Sequence, residues 1–110
     1  MVKMKAISVK DIKGMTFPTG RTTKVIVGPE SGLTAKHFVM GQVEIEPGGK
    51  VPLHSHEQEE VYFIAKGSGE MLVAGETKQV EEGMAVYIPS NAEHELRNGT
   101  SGTMTMIFVY

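Results

Sequence analysis

Apolar residues fall along this chain in short runs where hydrophobic and polar positions roughly alternate, and a cluster of turn-forming residues follows most runs. The runs are KAISV, TTKVIVG, KHFVMGQVEIE, EEVYFIAKG, GEMLVAG, TKQVEEG, MAVYIP, HELRN and TMTMIFVY; the punctuation is GPESG, PGG, AGE, EEG, PSNA and NGTSG. A period of two marks strands with one buried face, and turn signals at this regular spacing predict an all-β sandwich or barrel. No stretch of a dozen residues combines helical periodicity with a start and a stop signal. KAISV is expected to be the first strand, and residues 8–20 an ordered loop that leads into the barrel.

The same alternation assigns faces. In KHFVMGQVEIE the odd positions His37, Val39, Gly41, Val43 and Ile45 form the more apolar side and are expected to point inward. In the last run, Met104, Met106 and Phe108 share one face, which is expected to line an interior pocket.

Composition narrows the class. One domain over residues 1–110, with residues 1–20 as an N-terminal strand and loop, suits a chain of 110 residues. Hydrophobic residues at 40% and charged residues at 22% are close to globular averages, so the chain has enough apolar surface to fold. A net charge of -2 with interspersed lysines and glutamates offers no basic face for nucleic acid and no polybasic membrane patch. No apolar run approaches a membrane span. With no cysteine, neither disulfides nor thiolate ligands contribute; a cytoplasmic protein is expected.

Chemistry concentrates in PGGKVPLHSHEQEEVYFIAKG, residues 47–67. His54 and His56 are two apart, so an extended strand places both rings on one face, about 7 Å apart along the chain. Glu60 has the same parity and rejoins that face if the chain passes through a compact turn. A lone pair of histidines at this spacing is a weak signal, and by itself it fits a surface pair that binds nothing better than a metal site.

The frame around the pair is more specific. Gly48, His54, His56, Glu60 and Gly67 read G-x5-H-x-H-x3-E-x6-G, and Gly83, Pro89, His94 and Asn98 read G-x5-P-x4-H-x3-N. These two patterns resemble the two motifs of the cupin family, small β-barrels that hold a divalent metal. The resemblance covers about residues 40–110. It implies an antiparallel double-stranded β-helix, or jelly roll, with His54, His56, Glu60 and His94 as ligands of one divalent transition metal ion. It also implies a homodimer formed by sheet extension, for which KAISV or its neighbouring strand is the expected edge. Asn91 stands where the second motif usually has glycine, and asparagine tolerates the left-handed backbone a turn requires.

Three imidazoles and one carboxylate suit Fe(II), Mn(II), Ni(II), Zn(II), Cu(II) or Co(II) and are too nitrogen-rich for Mg or Ca. Four protein ligands around a six-coordinate ion leave two positions for water or substrate, as a catalytic site requires. A purely structural ion is the competing reading, but a barrel with this apolar content needs no metal staple. Tyr62 and Ile64 share parity with Glu60 and are expected beside the ion, and Gly41 is expected to leave open space there. The leading expectation is a dioxygenase-type oxidoreductase acting on a small organic molecule, with Glu60, Tyr62 or His37 moving a proton. The alternatives are a metal-dependent isomerase, lyase or decarboxylase, and a small-ligand-binding protein without catalysis.

Overall fold

The computed structural model describes residues 2–110, and apart from one 3-10 turn at Val9–Asp11 its regular elements are all strands. In chain order these are β1 (Met15–Phe17), β2 (Arg21–Gly28), β3 (Leu33–Thr34), β4 (Met40–Ile45), β5 (Lys50–His54), β6 (Glu60–Lys66), β7 (Ser68–Val73), β8 (Glu76–Glu81), β9 (Ala85–Ile88), β10 (His94–Arg97) and β11 (Met104–Val109). One sheet has the order β1-β2-β4-β11-β6-β9, with β3 alongside β2; the other has the order β5-β10-β7-β8. The β2–β3 pair is parallel and the others are antiparallel. From β4 onward the chain changes sheet at every connection except the β7–β8 hairpin, which is the winding of a jelly roll.

The alternation in the sequence becomes the inner and outer faces of these sheets. On β6 the even residues Glu60, Tyr62 and Ile64 are buried while Val61 and Phe63 are exposed. On β11 Met104, Met106 and Phe108 are buried, and on β4 Gly41, Val43 and Ile45 are. Facing them from the second sheet are Val51, Met71, Val80 and Leu96, and the two sets merge into one core. Burying each large aliphatic side chain contributes about 1.5–3 kcal/mol, so this slab holds the sheets together without help from a metal.

Turns form where the punctuation lies. Gly67 between β6 and β7 and Gly83 before β9 have φ of +82° and +92°, a region glycine enters without a Cβ clash. Asn91 takes the same left-handed region at +64°, as expected for an asparagine in place of the family glycine. Asn98 ties the end of β10 together: its amide donates to the Ile45 and Gly102 carbonyls at 2.9 and 2.8 Å, and its side-chain oxygen accepts from the Thr100 N–H at 3.0 Å.

Two expectations for the N-terminal part are corrected. KAISV is not a strand; its residues lie in an exposed segment without sheet partners and in the start of the 3-10 turn. β-propensity acts only when a neighbouring strand accepts the ladder, and none lies there. The first strand is instead Met15–Phe17, inside the segment expected to be a loop, and it pairs with Arg21–Thr23 across a tight turn closed by the Gly20 N–H on the Phe17 carbonyl. β1, not KAISV, is therefore the edge of the larger sheet on that side.

Candidate metal centre

Three of the four motif side chains sit at strand ends and the fourth, His56, lies just beyond one; local backbone features aim each of them. His54 closes β5, an edge strand. Between His54 and Val51 the pairing with β10 slips by one residue, so Pro52 and Leu53 form a bulge. An edge bulge is where proline is tolerated, because its missing N–H leaves no gap in the ladder. The Leu53 N–H freed by the bulge donates to the Glu95 carboxylate at 3.1 Å. The Pro52 carbonyl, also turned out of the ladder, accepts from His54 Nδ1 at 2.7 Å.

His94 opens β10 directly opposite His54 and between β5 and β7. Its ring is fully buried, and its Nδ1 is 2.9 Å from the Ala92 carbonyl. His56 lies just beyond β5, with Nδ1 at 2.9 Å from the Gln58 carbonyl, and the chain then turns so that Glu60 opens β6. The second motif braces this turn: the Asn91 N–H donates to the His56 carbonyl at 2.7 Å, and the Ser90 hydroxyl donates to the Glu57 carbonyl at 2.5 Å. The left-handed backbone at Asn91 thus has a function, presenting its N–H to the loop that carries a candidate ligand.

A carbonyl oxygen can only accept, so each of the three histidines carries its hydrogen on Nδ1 and turns Nε2 inward. Burial lowers the pKa of His94 below its ordinary value, so that ring is neutral near pH 7. Its Nε2 is buried without a hydrogen-bond partner, although Glu60 Oε1 is 3.3 Å away. His56 Nε2 stands 2.9 Å from the same carboxylate oxygen. Bare imidazole nitrogens facing a carboxylate repel one another, and an unsatisfied buried polar atom costs about 1–3 kcal/mol. One cation between them reverses the sign of every one of these contacts. The ligand atoms of His54, His56, Glu60 and His94 all lie within 4.8 Å of one another, close to the span of donors held at about 2.0–2.2 Å around one ion. The donor set, its tautomers and the orphaned Nε2 fit a first-row divalent metal.

Next to His54 lies a cavity of about 240 Å³ between the sheets. Val43, Val51, Met106 and Phe108 supply its apolar wall, which confirms the inward faces expected for β4 and β11. Tyr62 lines it too, its ring 5.7 Å from that of His94 and nearly perpendicular to it. Burial, reinforced by the Glu60 carboxylate, pushes the Tyr62 phenol far above its ordinary pKa, so it remains a proton donor at neutral pH. Ile64 is one turn of the pleat deeper, in the core.

Other expected positions differ. Gly41 leaves no open space: a Cβ there would meet Phe108 Cζ at 2.4 Å, so this glycine makes room for the Phe108 ring. His37 is exposed in a bend before β4, outside the four-residue cluster and the cavity wall, because the inward register of β4 begins only at Met40. Arg21 was not expected at all. It opens β2, pairs with the inward-facing Ile45 and lines the cavity, as does Thr23. The sequence signal was a charged residue sharing parity with Thr23 and Val25 at the head of a strand whose far half, VIVG, is apolar. A larger groove of about 480 Å³ lies among β7, β8 and β9 and contains none of the four candidate ligands. Among the described residues no helix is long and apolar enough to cross a membrane.

The cupin domain family model matches residues 41–110, the region containing both motifs. A dimethylsulfoniopropionate lyase of Ruegeria pomeroyi is 33% identical over 94 residues, covering 83% of this chain and 60% of the lyase, so the chain spans well under the lyase's full length. An uncharacterised protein of Methanocaldococcus jannaschii is 29% identical over 101 residues, covering 89% of this chain and 80% of that protein. Among solved structures, the polyketide cyclase RemF of Streptomyces resistomycificus superposes with a TM-score of 0.82 at 26% identity, covering 97% of this chain and 78% of the cyclase. With the jelly-roll winding, both motifs in place and the family model matched over most of its length, the chain belongs to the cupin domain family.

Proposed function

We propose that this protein is a metal-dependent enzyme that transforms a small organic molecule by polarisation and proton transfer, in the class of lyases, isomerases or decarboxylases. The carrying observation is the convergence of three imidazole Nε2 atoms and Glu60 beside a cavity whose wall includes a phenol held protonated. A divalent ion held by His54, His56, Glu60 and His94 would supply Lewis-acid polarisation of a substrate oxygen. The protein's own groups do the rest. Tyr62 donates a proton or hydrogen bond to charge developing on the substrate, and the apolar wall of Val43, Val51, Met106 and Phe108 keeps bulk water away from it. Two relatives support this class: one is named a lyase and another a cyclase.

The dioxygenase reading is second, and the apolar lining beside a site with room for additional ligands favours it. The two separate on oxygen. Protein loaded with Mn(II), Zn(II), Ni(II) or Fe(II) is incubated without oxygen with dimethylsulfoniopropionate and a panel of small β-substituted and β-keto compounds, and products are followed by proton NMR. Turnover without oxygen that is retained with a redox-inert ion is expected. Turnover seen only in a parallel incubation with oxygen, only with iron or manganese and with stoichiometric oxygen uptake, would replace this reading by the second.

A further inference from the structure

Arg21 is the one charged side chain in the cavity wall, and its surroundings leave it without a counter-charge. Among the described residues Lys50 and Arg97 pair with Glu95, and Glu60 faces the His56 and His94 imidazoles; none of these contacts involves Arg21. Its guanidinium is nonetheless held in place. The Phe17 ring lies under it, with Cζ 4.1 Å from the ring centroid, and Nη1 donates to the Thr19 hydroxyl at 2.5 Å. Those contacts use one face and one N–H, while a guanidinium has five donors in a planar fork. A half-buried cation that is positioned but unpaired is costly in an apolar wall and becomes favourable when a matching anion arrives.

We propose that Arg21 is the anchor for a carboxylate, so that the molecule accepted by this cavity is a small carboxylic acid held with its charged end on Arg21 and its other end towards His54 and Tyr62. This rests on the reading of the cavity as the substrate site and adds the substrate class to it. Size and charge both select. About 240 Å³ holds roughly eight waters at about 30 Å³ each, which suits a compound of a few carbons. One guanidinium balances one negative charge, whereas a phosphate dianion would bring a second charge into a wall of Val43, Val51, Met106 and Phe108. The carboxylate also matches the planar fork in a way that a neutral amide does not.

Binding of propionate, propionamide and inorganic phosphate to the metal-loaded protein, read by calorimetry and thermal shift, tests this without any assay of turnover. Propionate is expected to bind at least about tenfold more tightly than propionamide or phosphate. Arg21→Met is expected to lose at least about tenfold in propionate affinity while keeping the metal content of the wild type, and Arg21→Lys to fall between the two because it keeps charge but not the fork. Equal binding of propionate and propionamide, preference for phosphate, or Arg21→Met within twofold of wild type would overturn the proposal. If Arg21→Met fails to fold, Arg21→Lys and the amide comparison still decide. Metal content of the same samples separates the two claims: propionate binding that depends on Arg21 in protein that retains no metal would keep the anchor and remove the metal enzyme.

Discussion

The same strands build two regions of opposite character. At one end of the sandwich β5, β6 and β10 carry His54, Glu60 and His94; two to four residues further along the same inner face they carry Val51, Ile64 and Leu96. The core end is apolar and satisfied by packing. The polar end is buried almost as well at Glu60 and His94, yet its nitrogens and carboxylate are aimed at each other and leave His94 Nε2 without a partner. Among the described residues His94 Nε2 is the buried side-chain nitrogen left without a hydrogen-bond partner, so this end is where a ligand fits. The core therefore maintains the fold, and the fold holds the four ligands in a geometry that is unfavourable until a cation is present.

Substitutions should separate the two ends, beginning with the core. Leu96→Ala or Ile64→Ala, each fully buried, is expected to cost about 2–5 kcal/mol in denaturant unfolding. Metal affinity of the fraction that remains folded should change little. The opposite pattern is expected for His56→Ala: metal affinity falls at least about a hundredfold, roughly 2.7 kcal/mol, while metal-free stability changes by less than about 1 kcal/mol. If His56→Ala unfolded the metal-free protein, the division into scaffold and site would fail.

The sequence made the polar end legible because its information is local. Parity places His54 and His56 together, and the motif frame supplies Glu60 and His94. The inner faces of β4, β6 and β11 follow from alternation alone. What could not be read depended on which strands neighbour which. KAISV alternates like a strand but has no partner. The open space expected at Gly41 is filled by Phe108, a residue 67 positions away that becomes its neighbour only through the β4–β11 register. Arg21 looks like a surface residue until its pairing with Ile45 turns it inward. Metal ligands, moreover, do not fix a reaction, so the expected dioxygenase chemistry went further than these residues could carry.

A directional effect of pH sharpens the comparison. Burial holds the folded His94 pKa below 6.5, so near that pH the unfolded chain takes up a proton that the folded ring refuses. The stability contributed by neutral His94 is complete above that range and is lost as pH falls, until the folded ring itself protonates. Denaturant midpoints of the metal-free protein at about pH 7.5 and about pH 5.5 should show the decline, and His94→Gln should reduce it. Falling pH should also release bound metal, because imidazole ligands must be deprotonated. The smallest effect is expected at Asn91. Glycine there should shift stability by less than about 1 kcal/mol, since both residues accept the left-handed backbone, whereas Asn91→Val should cost more and loosen the His56 loop.

Metal analysis of the purified protein decides whether His54, His56, Glu60 and His94 hold a cation together. Metal-free protein is equilibrated separately with Mn(II), Fe(II), Co(II), Ni(II) and Zn(II), passed through a desalting column, and measured by elemental analysis alongside His94→Ala. About one equivalent of at least one of these ions per chain is expected in the wild type and less than about a tenth in the variant. Wild-type protein that retains none of them, or a His94→Ala protein that retains as much as the wild type, would contradict such a shared site.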